Sequence, residues 1–334
     1  MHYTELAEAD QIFALEQVIP GVLKQYGIEA RAIENVNHGY NSSFKVTSVA
    51  GREFALRINI AAGKSEPEVA AEMQWLEALA EQEQILASKP LRTLDGQLFT
   101  KVFFAELERN FVAVIFEWIA GDEIEDEPTA AQLFELGQNM ARLQELARGL
   151  SFAGDAFLPK INNTMMNASD FLRAGQPQQL DDKLYGELLA ALKQADAVYA
   201  RLSTADNGQA PLQAIHADLH FGNVIQTEKK LAIIDFDDAG IGLPIQDLAI
   251  SSYYIREDFE AEKHLKAGFA SIAELPQISE QDYELLILGR MVLLVGVVLE
   301  ATSAEIREFL PEFLRRTKLR LEHFGETGKF LLVK

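Results

Sequence analysis

Short stretches dense in Val, Ile, Phe or Thr, bounded by Gly, Asn or charged residues, recur through the first third of the chain: Ala30–Val36, Ser42–Val49, Glu53–Ile58, Gln97–Phe104 and Phe111–Glu117. This is the pattern of strands, and Ala50-Gly51 joins the second to the third as a hairpin. Two helical patterns interrupt them. One covers Asp10–Tyr26 and stops at Gly27; the other starts near Pro67 and carries Val69, Met73, Leu76 and Leu79 at helical spacing. The pattern predicts a small antiparallel sheet with a helix against it over residues 1–120. After Gly121 the periodicity turns helical, with Thr129 and Gln132 forming a capping-box signature that opens a helix through Leu146. Amphipathic runs follow over Lys183–Leu202, Gln281–Ala301 and Ala304–Phe324. Only Leu212–Ile234 breaks this rule, turning β-like and placing polar residues at close intervals.

Composition narrows the function classes. The 334 residues include 51 Asp and Glu against 30 Lys and Arg, for a net charge of −21, and no cysteine. Disulfide scaffolds, thiolate zinc sites and cysteine nucleophiles are excluded. The acidic balance repels phosphate backbones and anionic lipid, so no nucleic-acid or membrane partner is expected, while cationic or metal-masked ligands remain open. Met1–Asp10 carries Glu5, Glu8 and Asp10 instead of a basic patch and apolar core, so no signal peptide is read there. The apolar run Met291–Leu299 is too short for a membrane span and reads as a buried helix. A cytoplasmic protein is expected.

The chemistry concentrates in Ile215-His216-Ala217-Asp218-Leu219-His220-Phe221-Gly222-Asn223-Val224-Ile225 and Leu231-Ala232-Ile233-Ile234-Asp235-Phe236-Asp237-Asp238. A strand delivers a loop holding Asp218 and Asn223, and a hairpin from Val224–Gln226 to Leu231–Ile234 returns the chain with Asp235 beside Asn223. A carboxylate and a carboxamide are hard oxygen ligands suited to magnesium, which completes its shell with water and nucleotide phosphate. Asp218, beside the metal, is placed to accept a proton from an attacking hydroxyl.

These residues resemble the aminoglycoside phosphotransferase and choline kinase family, whose hallmark is His-Gly-Asp, a short spacer, Asn, then Ile-Asp-(Phe/Trp/Leu)-(Glu/Asp). Gly242-Leu243-Pro244-Ile245-Gln246-Asp247-Leu248-Ala249 fits as well, and the one departure is Ala217 in place of Gly. The resemblance implies an α+β, bilobal protein-kinase-like fold, with a nucleotide-binding small lobe and hinge over 1–120 and a helical lobe over 121–334. It implies an ATP- and Mg2+-dependent kinase with Asp218 as base, Asn223 and Asp235 on the metal, and His216 bracing the catalytic loop.

On the nucleotide side, Asn37-His38-Gly39-Tyr40-Asn41-Ser42-Ser43-Phe44 stands where the family's phosphate-covering loop falls, so Gly39, Asn41, Ser42 and Ser43 are candidates to meet phosphate through backbone amides. Arg57 occupies the position where the family often has Lys, and Glu72 is its expected helix partner. The backbone of Glu117 and Ile119 is expected to meet adenine. The acceptor implied is a small-molecule hydroxyl, with Asp237, Asp238, Glu257 and Asp258 able to attract a cation and Tyr253 and Tyr254 able to stack on an amine. Two alternatives stand beside it: a Ser/Thr protein kinase of the bacterial stress-response type in the same superfamily, and a nucleotide-binding regulatory protein with little transfer activity. The long activation segment that forms the peptide platform of eukaryotic-type protein kinases is missing, since Gly240, Pro244 and Asp247 follow Asp235 almost at once.

Overall fold

The computed structural model describes residues 6–333 other than 40, 61–63, 125–126, 167, 205–211, 258 and 302–303, and not the side chains of 106, 304 and 305. The chain divides into two compact units. Unit 1 comprises Met1–Asp122, Ser151–Phe157 and Thr227–Ile234; unit 2 comprises Glu123–Leu150, Leu158–Gln226 and Asp235–Lys334.

Unit 1 opens with two helices, α1 (Glu8–Glu16) and α2 (Ile19–Gln25), where the apolar pattern predicts one. Pro20 lies in the first turn of α2 and has no N–H to continue α1, so the helix restarts there. Gly27, at φ +67°, takes the left-handed turn that ends it. Next come β1 (Ala30–His38), β2 (Asn41–Ser48), β3 (Glu53–Asn59), α3 (Glu66–Ala80), β4 (Leu86–Ala87), β5 (Thr100–Phe104) and β6 (Arg109–Glu117). The main sheet runs β1-β2-β3-β6-β5 with every pair antiparallel. The predicted strand at Gln97 starts three residues later, because Gln97 N–H donates to Thr93 Oγ1 at 2.9 Å and Thr93 N–H to Gln97 O at 3.0 Å, closing a turn.

Strand parity decides what each face carries. Phe54, Leu56 and Ile58 of β3 join Phe44 and Val46 of β2 in a core with Leu15, Ile19 and Val22 of α1 and α2. Arg57 points to the opposite face, where it meets Glu72 of α3. That helix starts where the sequence places it: Ser65 N–H donates to Glu68 Oε2 at 2.7 Å, and Pro67 sits in the first turn.

A short strand, β7 (Asp122–Glu123), precedes α4 (Ala130–Ala147), which opens on the expected capping box, with Thr129 N–H to Gln132 Oε1 at 2.9 Å and Gln132 N–H to Thr129 Oγ1 at 3.3 Å. There follow α5 (Phe171–Ala174), α6 (Asp182–Leu202), β8 (Gln213–Ile215), β9 (Val224–Gln226), β10 (Leu231–Ile233), β11 (Gly240–Gly242), α7 (Pro244–Ile255), α8 (Glu260–Ala270), α9 (Glu280–Glu300) and α10 (Ala304–Thr327). Of these, β10 belongs to unit 1, parallel to β4, and the turn before it is closed by Thr227 N–H to Lys230 O at 3.2 Å. In unit 2, α4 and α8 pack backbone to backbone: a Cβ on Gly268 would lie 1.9 Å from Phe134 O. Among the described residues no helix is long and apolar enough to cross a membrane.

Candidate active site

In unit 2 the loop that begins at His216 leaves β8, and β11 pairs antiparallel to β8 with Gly240 opposite Ile215. The segments His216–Asp218 and Asp235–Ala239 therefore emerge from the same end of one short ladder. That ladder is a feature the sequence does not announce, because β11 is only Gly-Ile-Gly. The loop is anchored from below by Asp247, fully buried in the first turn of α7, whose carboxylate accepts Ala217 N–H at 2.8 Å and His216 N–H at 3.4 Å. Burial pushes the Asp247 carboxyl above the ordinary range. Ala217 takes φ +68° and Asp235 φ +59°, left-handed conformations that an L-residue adopts at a cost.

His216 is buried. Its Nδ1 accepts Asp218 N–H at 3.3 Å, and its ring lies 4.5 Å from that of the buried Phe236. It thus contacts the loop, not the open face of Asp218. Asn223 spends its amide protons on Asp218, at 2.9 Å to the backbone oxygen and 3.1 Å to Oδ2. His220 accepts Gly222 N–H on Nδ1 at 3.1 Å, so its proton sits on Nε2, which faces Asp218 Oδ2 at 3.4 Å. Arg290, from α9, donates to Asp218 Oδ1 and at 2.8 Å to Tyr254 Oη.

The local field is uneven. Burial alone would raise the Asp218 carboxyl, but the Arg290 guanidinium together with His220 and His216 outweighs it and holds the group far below the usual carboxylate range. At the exposed rim, Asp238 feels crowding first and then the charges of Asp218, Asp237 and Asp235, and its carboxyl is pushed up to about 7. The charges of these four carboxylates act on one another. No group of three or more Asp, Glu or His side chains with metal-binding geometry occurs among the described residues. The carboxamide of Asn223 and the exposed carboxylate of Asp235 instead offer two hard oxygen ligands, a donor chemistry that suits a magnesium ion keeping water and phosphate as its other ligands.

In unit 1, Arg57 and Glu72 form a buried, bidentate pair with both bonds at 2.8 Å, and Lys64 adds a third at 3.2 Å to Glu72 Oε2. Lys64 escapes sequence reasoning because it precedes the helix. The expected phosphate-covering loop is tighter than its length implies: β1 runs to His38, β2 starts at Asn41, and Gly39 N–H closes the turn on Asn41 O at 2.9 Å. Tyr40 lies outside the described residues. Asn41 and Ser43 are on β2, with Ser43 directly opposite Arg57 and on its face. Ser42 is not brought together with them. It is buried on the other face, and its hydroxyl is bonded to His38 Nδ1 at 2.5 Å.

After β6, Glu117 N–H is used by Lys89 O at 2.9 Å and Trp118 N–H by Glu53 O at 3.2 Å, while the half-buried Ile119 N–H has no backbone acceptor among the described residues. Glu117–Ala120 line a cavity of about 380 Å³ with Ala80, Ala87 and Lys230. The two tyrosines part company: Tyr253 is buried in the core against Arg320, whereas Tyr254 sits beside His220 with ring centres 5.2 Å apart. Glu257 is exposed, and Asp258 lies outside the described residues.

Comparison with known proteins follows this geometry. The fold is shared with the solved structure of a microcompartment-associated aminopropanol kinase (TM-score 0.77, 21% identity, 96% of this chain and 100% of that one). It is shared also with amicoumacin kinase hAmiN in complex with AMP-PNP, Ca2+ and Ami (TM-score 0.74, 16% identity, 93% and 96% covered). By sequence the chain is 24% identical over 248 residues to amicoumacin kinase of Bacillus subtilis (strain 168), covering 73% of this chain and 69% of that relative. The model of the phosphotransferase enzyme family matches residues 32–277, most of the chain and every motif described above. The chain belongs to the phosphotransferase enzyme family, and its fold is the α+β protein-kinase-like one.

Proposed function

We propose that this phosphotransferase transfers the γ-phosphate of ATP to a hydroxyl of a small, amine-bearing molecule. The observation that carries the proposal is the Asp218–Asn223 pair: one carboxylate held on both oxygens, with the Asn223 carboxamide bonded beside it. Magnesium, held by Asn223 and Asp235, would neutralise phosphate charge when bound. The chain's own residues do the rest. Asp218 accepts the hydrogen bond of the acceptor hydroxyl and orients its oxygen. With its basicity lowered by Arg290, it takes the proton late, as the bond from the acceptor oxygen to the γ-phosphorus forms and that to the β–γ bridging oxygen breaks to release ADP, rather than ionising the alcohol beforehand. His216 and Asp247 hold the loop that carries Asp218.

In unit 1, Arg57, oriented by Glu72, presents a charged fork to phosphate oxygens, with Ser43 and Asn41 on the same face and Lys64 adding a second cation. Ile119 N–H and the backbone of Glu117 serve adenine. Positioning and electrostatics of this kind supply most of the rate enhancement in phosphoryl transfer. The acidic cluster about Asp238 favours a cationic acceptor, in keeping with the amine-containing compounds after which the relatives are named. Residues 1–120 would then serve the nucleotide and 121–334 the acceptor.

A coupled assay of magnesium-dependent ATP consumption against aminoalcohols, sugars, aminoglycosides and a generic protein substrate tests this. Turnover is expected with an aminoalcohol or aminoglycoside, and Asp218→Asn is expected to abolish it while nucleotide affinity measured by calorimetry stays within about twofold. Turnover that survives Asp218→Asn removes Asp218 from its role, and consumption only with the protein arm reassigns the acceptor.

A further inference from the structure

We infer that Arg290 is a positioning residue for phosphoryl transfer, locking the Asp218 carboxylate in the orientation that the acceptor hydroxyl requires. The inference rests on the role given to Asp218 above and adds to it a residue 72 positions away that neither the loop motif nor the later Asp-Phe-Asp-Asp motif contains.

Arg290 stands in the most apolar part of α9, between Leu286, Ile287 and Leu288 on one side and Met291, Val292 and Leu293 on the other, and is only 7% exposed. A guanidinium in such a place is costly to desolvate and persists only where its partners repay it. Those partners are few. Nη2 donates to Asp218 Oδ1 and to Tyr254 Oη at 2.8 Å, the guanidinium carbon lies 5.6 Å from the Tyr254 ring centre, and the buried Nε has no hydrogen-bond acceptor among the described residues. Had the helix needed only a core residue here, Leu or Met would fill the position without that orphaned donor. The charge is placed for Asp218.

The geometry of the clamp explains what it does. Asp218 Oδ2 is addressed from its own loop, by Asn223 Nδ2 at 3.1 Å and His220 Nε2 at 3.4 Å. Among the described residues, its Oδ1 is addressed from α9, by Arg290. With one oxygen tied to the loop and the other to a long helix, rotation about the Cβ–carboxyl bond is blocked, and the loop itself is pinned to the helical scaffold. Tyr254 fixes the guanidinium in turn, so the chain of support runs from α7 through Tyr254 and Arg290 to the carboxylate. Because Arg290 is buried behind Asp218 it acts through that residue and not on the substrate. Both bonds come from one nitrogen, Nη2, at the tip of the long planar guanidinium; a lysine keeps the charge on a shorter, compact ammonium and so reaches these two oxygens less well.

The test measures hydrolysis of MgATP, alone and with aminopropanol as acceptor, for wild type, Asp218→Asn, Arg290→Met, Arg290→Lys and Tyr254→Phe, with melting temperatures taken in parallel. Arg290→Met is expected to lower kcat by about 10- to 100-fold, the scale of a small misplacement of a reacting group, with the KM for MgATP within about twofold. Arg290→Lys is expected to recover part of that loss, and added guanidinium ion to restore Arg290→Met but not Asp218→Asn. Tyr254→Phe, which removes one hydroxyl and no charge, is expected to show a smaller fall in kcat at unchanged KM.

If Asp218→Asn abolishes turnover while Arg290→Met keeps kcat within about twofold of wild type, the clamp is refuted and the role of Asp218 stands. A fall in Arg290→Met activity that neither lysine nor guanidinium reverses marks a purely structural residue and also refutes it. Should Arg290→Met fail to fold, unchanged kcat in both Arg290→Lys and Tyr254→Phe refutes it. Full turnover in Asp218→Asn removes the function assigned to Asp218, and the inference falls with it.

Discussion

Ala217 stands where the family's motif has glycine, and the backbone there has φ +68°. Replacing it with glycine tests how the chain tolerates that departure. An L-residue in the left-handed region costs about 1–2 kcal/mol, which Ala217→Gly would return to the folded state. Two losses oppose the gain. Glycine is more disordered in the unfolded chain, worth about 0.4–1 kcal/mol. The lost methyl is fully buried, packed in a cluster with Ile161, Ile215 and Ile250, and its removal costs about 0.8 kcal/mol. The opposing contributions nearly cancel, so stability should change by less than about 1 kcal/mol, a melting shift of roughly 2–4 °C at most in a protein of this size. Ala217 N–H remains bonded to Asp247 either way, so kcat should hold.

The companion variant Ala217→Val keeps the positive φ, worsens its strain with a β-branched side chain and overpacks the same cluster, for a loss of about 3 kcal/mol or more. Differential scanning calorimetry of the three proteins decides the matter. A drop of more than about 6 °C for Ala217→Gly, or a valine variant that melts with wild type, refutes the balance of strain, entropy and packing drawn here.

Removing Arg57 as Arg57→Ala takes both guanidinium bonds from Glu72, 0% exposed, and leaves the Lys64 bond, so stability should fall by about 2–4 kcal/mol in urea titration, somewhat below the full cost of a broken buried pair. Arg57→Lys, the residue the family often carries, should retain turnover with a stability loss nearer 1 kcal/mol, since one of two parallel bonds is forfeited. Gly268→Ala forces a methyl to within 1.9 Å of Phe134 O and should cost about 2–3 kcal/mol or prevent folding, read from the melting temperature. Burial alone would raise the pKa of Glu262, but Arg256 and Lys266 outweigh it and hold the group below the ordinary value. Its stabilising share is therefore present above the unfolded pKa and is lost as pH falls through the folded one. The melting deficit of Glu262→Gln should be full at pH 7 and shrink below about pH 4.

What could be read from the chain beforehand divides along physical lines. Asp218, Asn223 and Asp235, the base and metal positions proposed above, stand out in the sequence because a site of that kind on a loop and hairpin demands fixed short spacings, which survive as a pattern. The β-strands of unit 1 and the capping box at Thr129 were legible because burial parity and local hydrogen bonding are set within a few residues. The length of the phosphate-side turn was not, since glycine and small polar residues fit equally in an open loop and in the last pairs of a hairpin; long-range pairing of His38 with Ser42 and Gln11 decided it. Arg290 was hidden for a different reason. Its partner is 72 residues away and its neighbours are all apolar, so it passes for the polar boundary of a hydrophobic run. Yet a helix that buries nearly every residue from Tyr283 to Val295 has no use for a cation in its middle unless an anion waits there. In a chain whose loop motif offers a candidate catalytic carboxylate, a lone arginine inside an otherwise apolar helix is a signal to look for that carboxylate's second anchor.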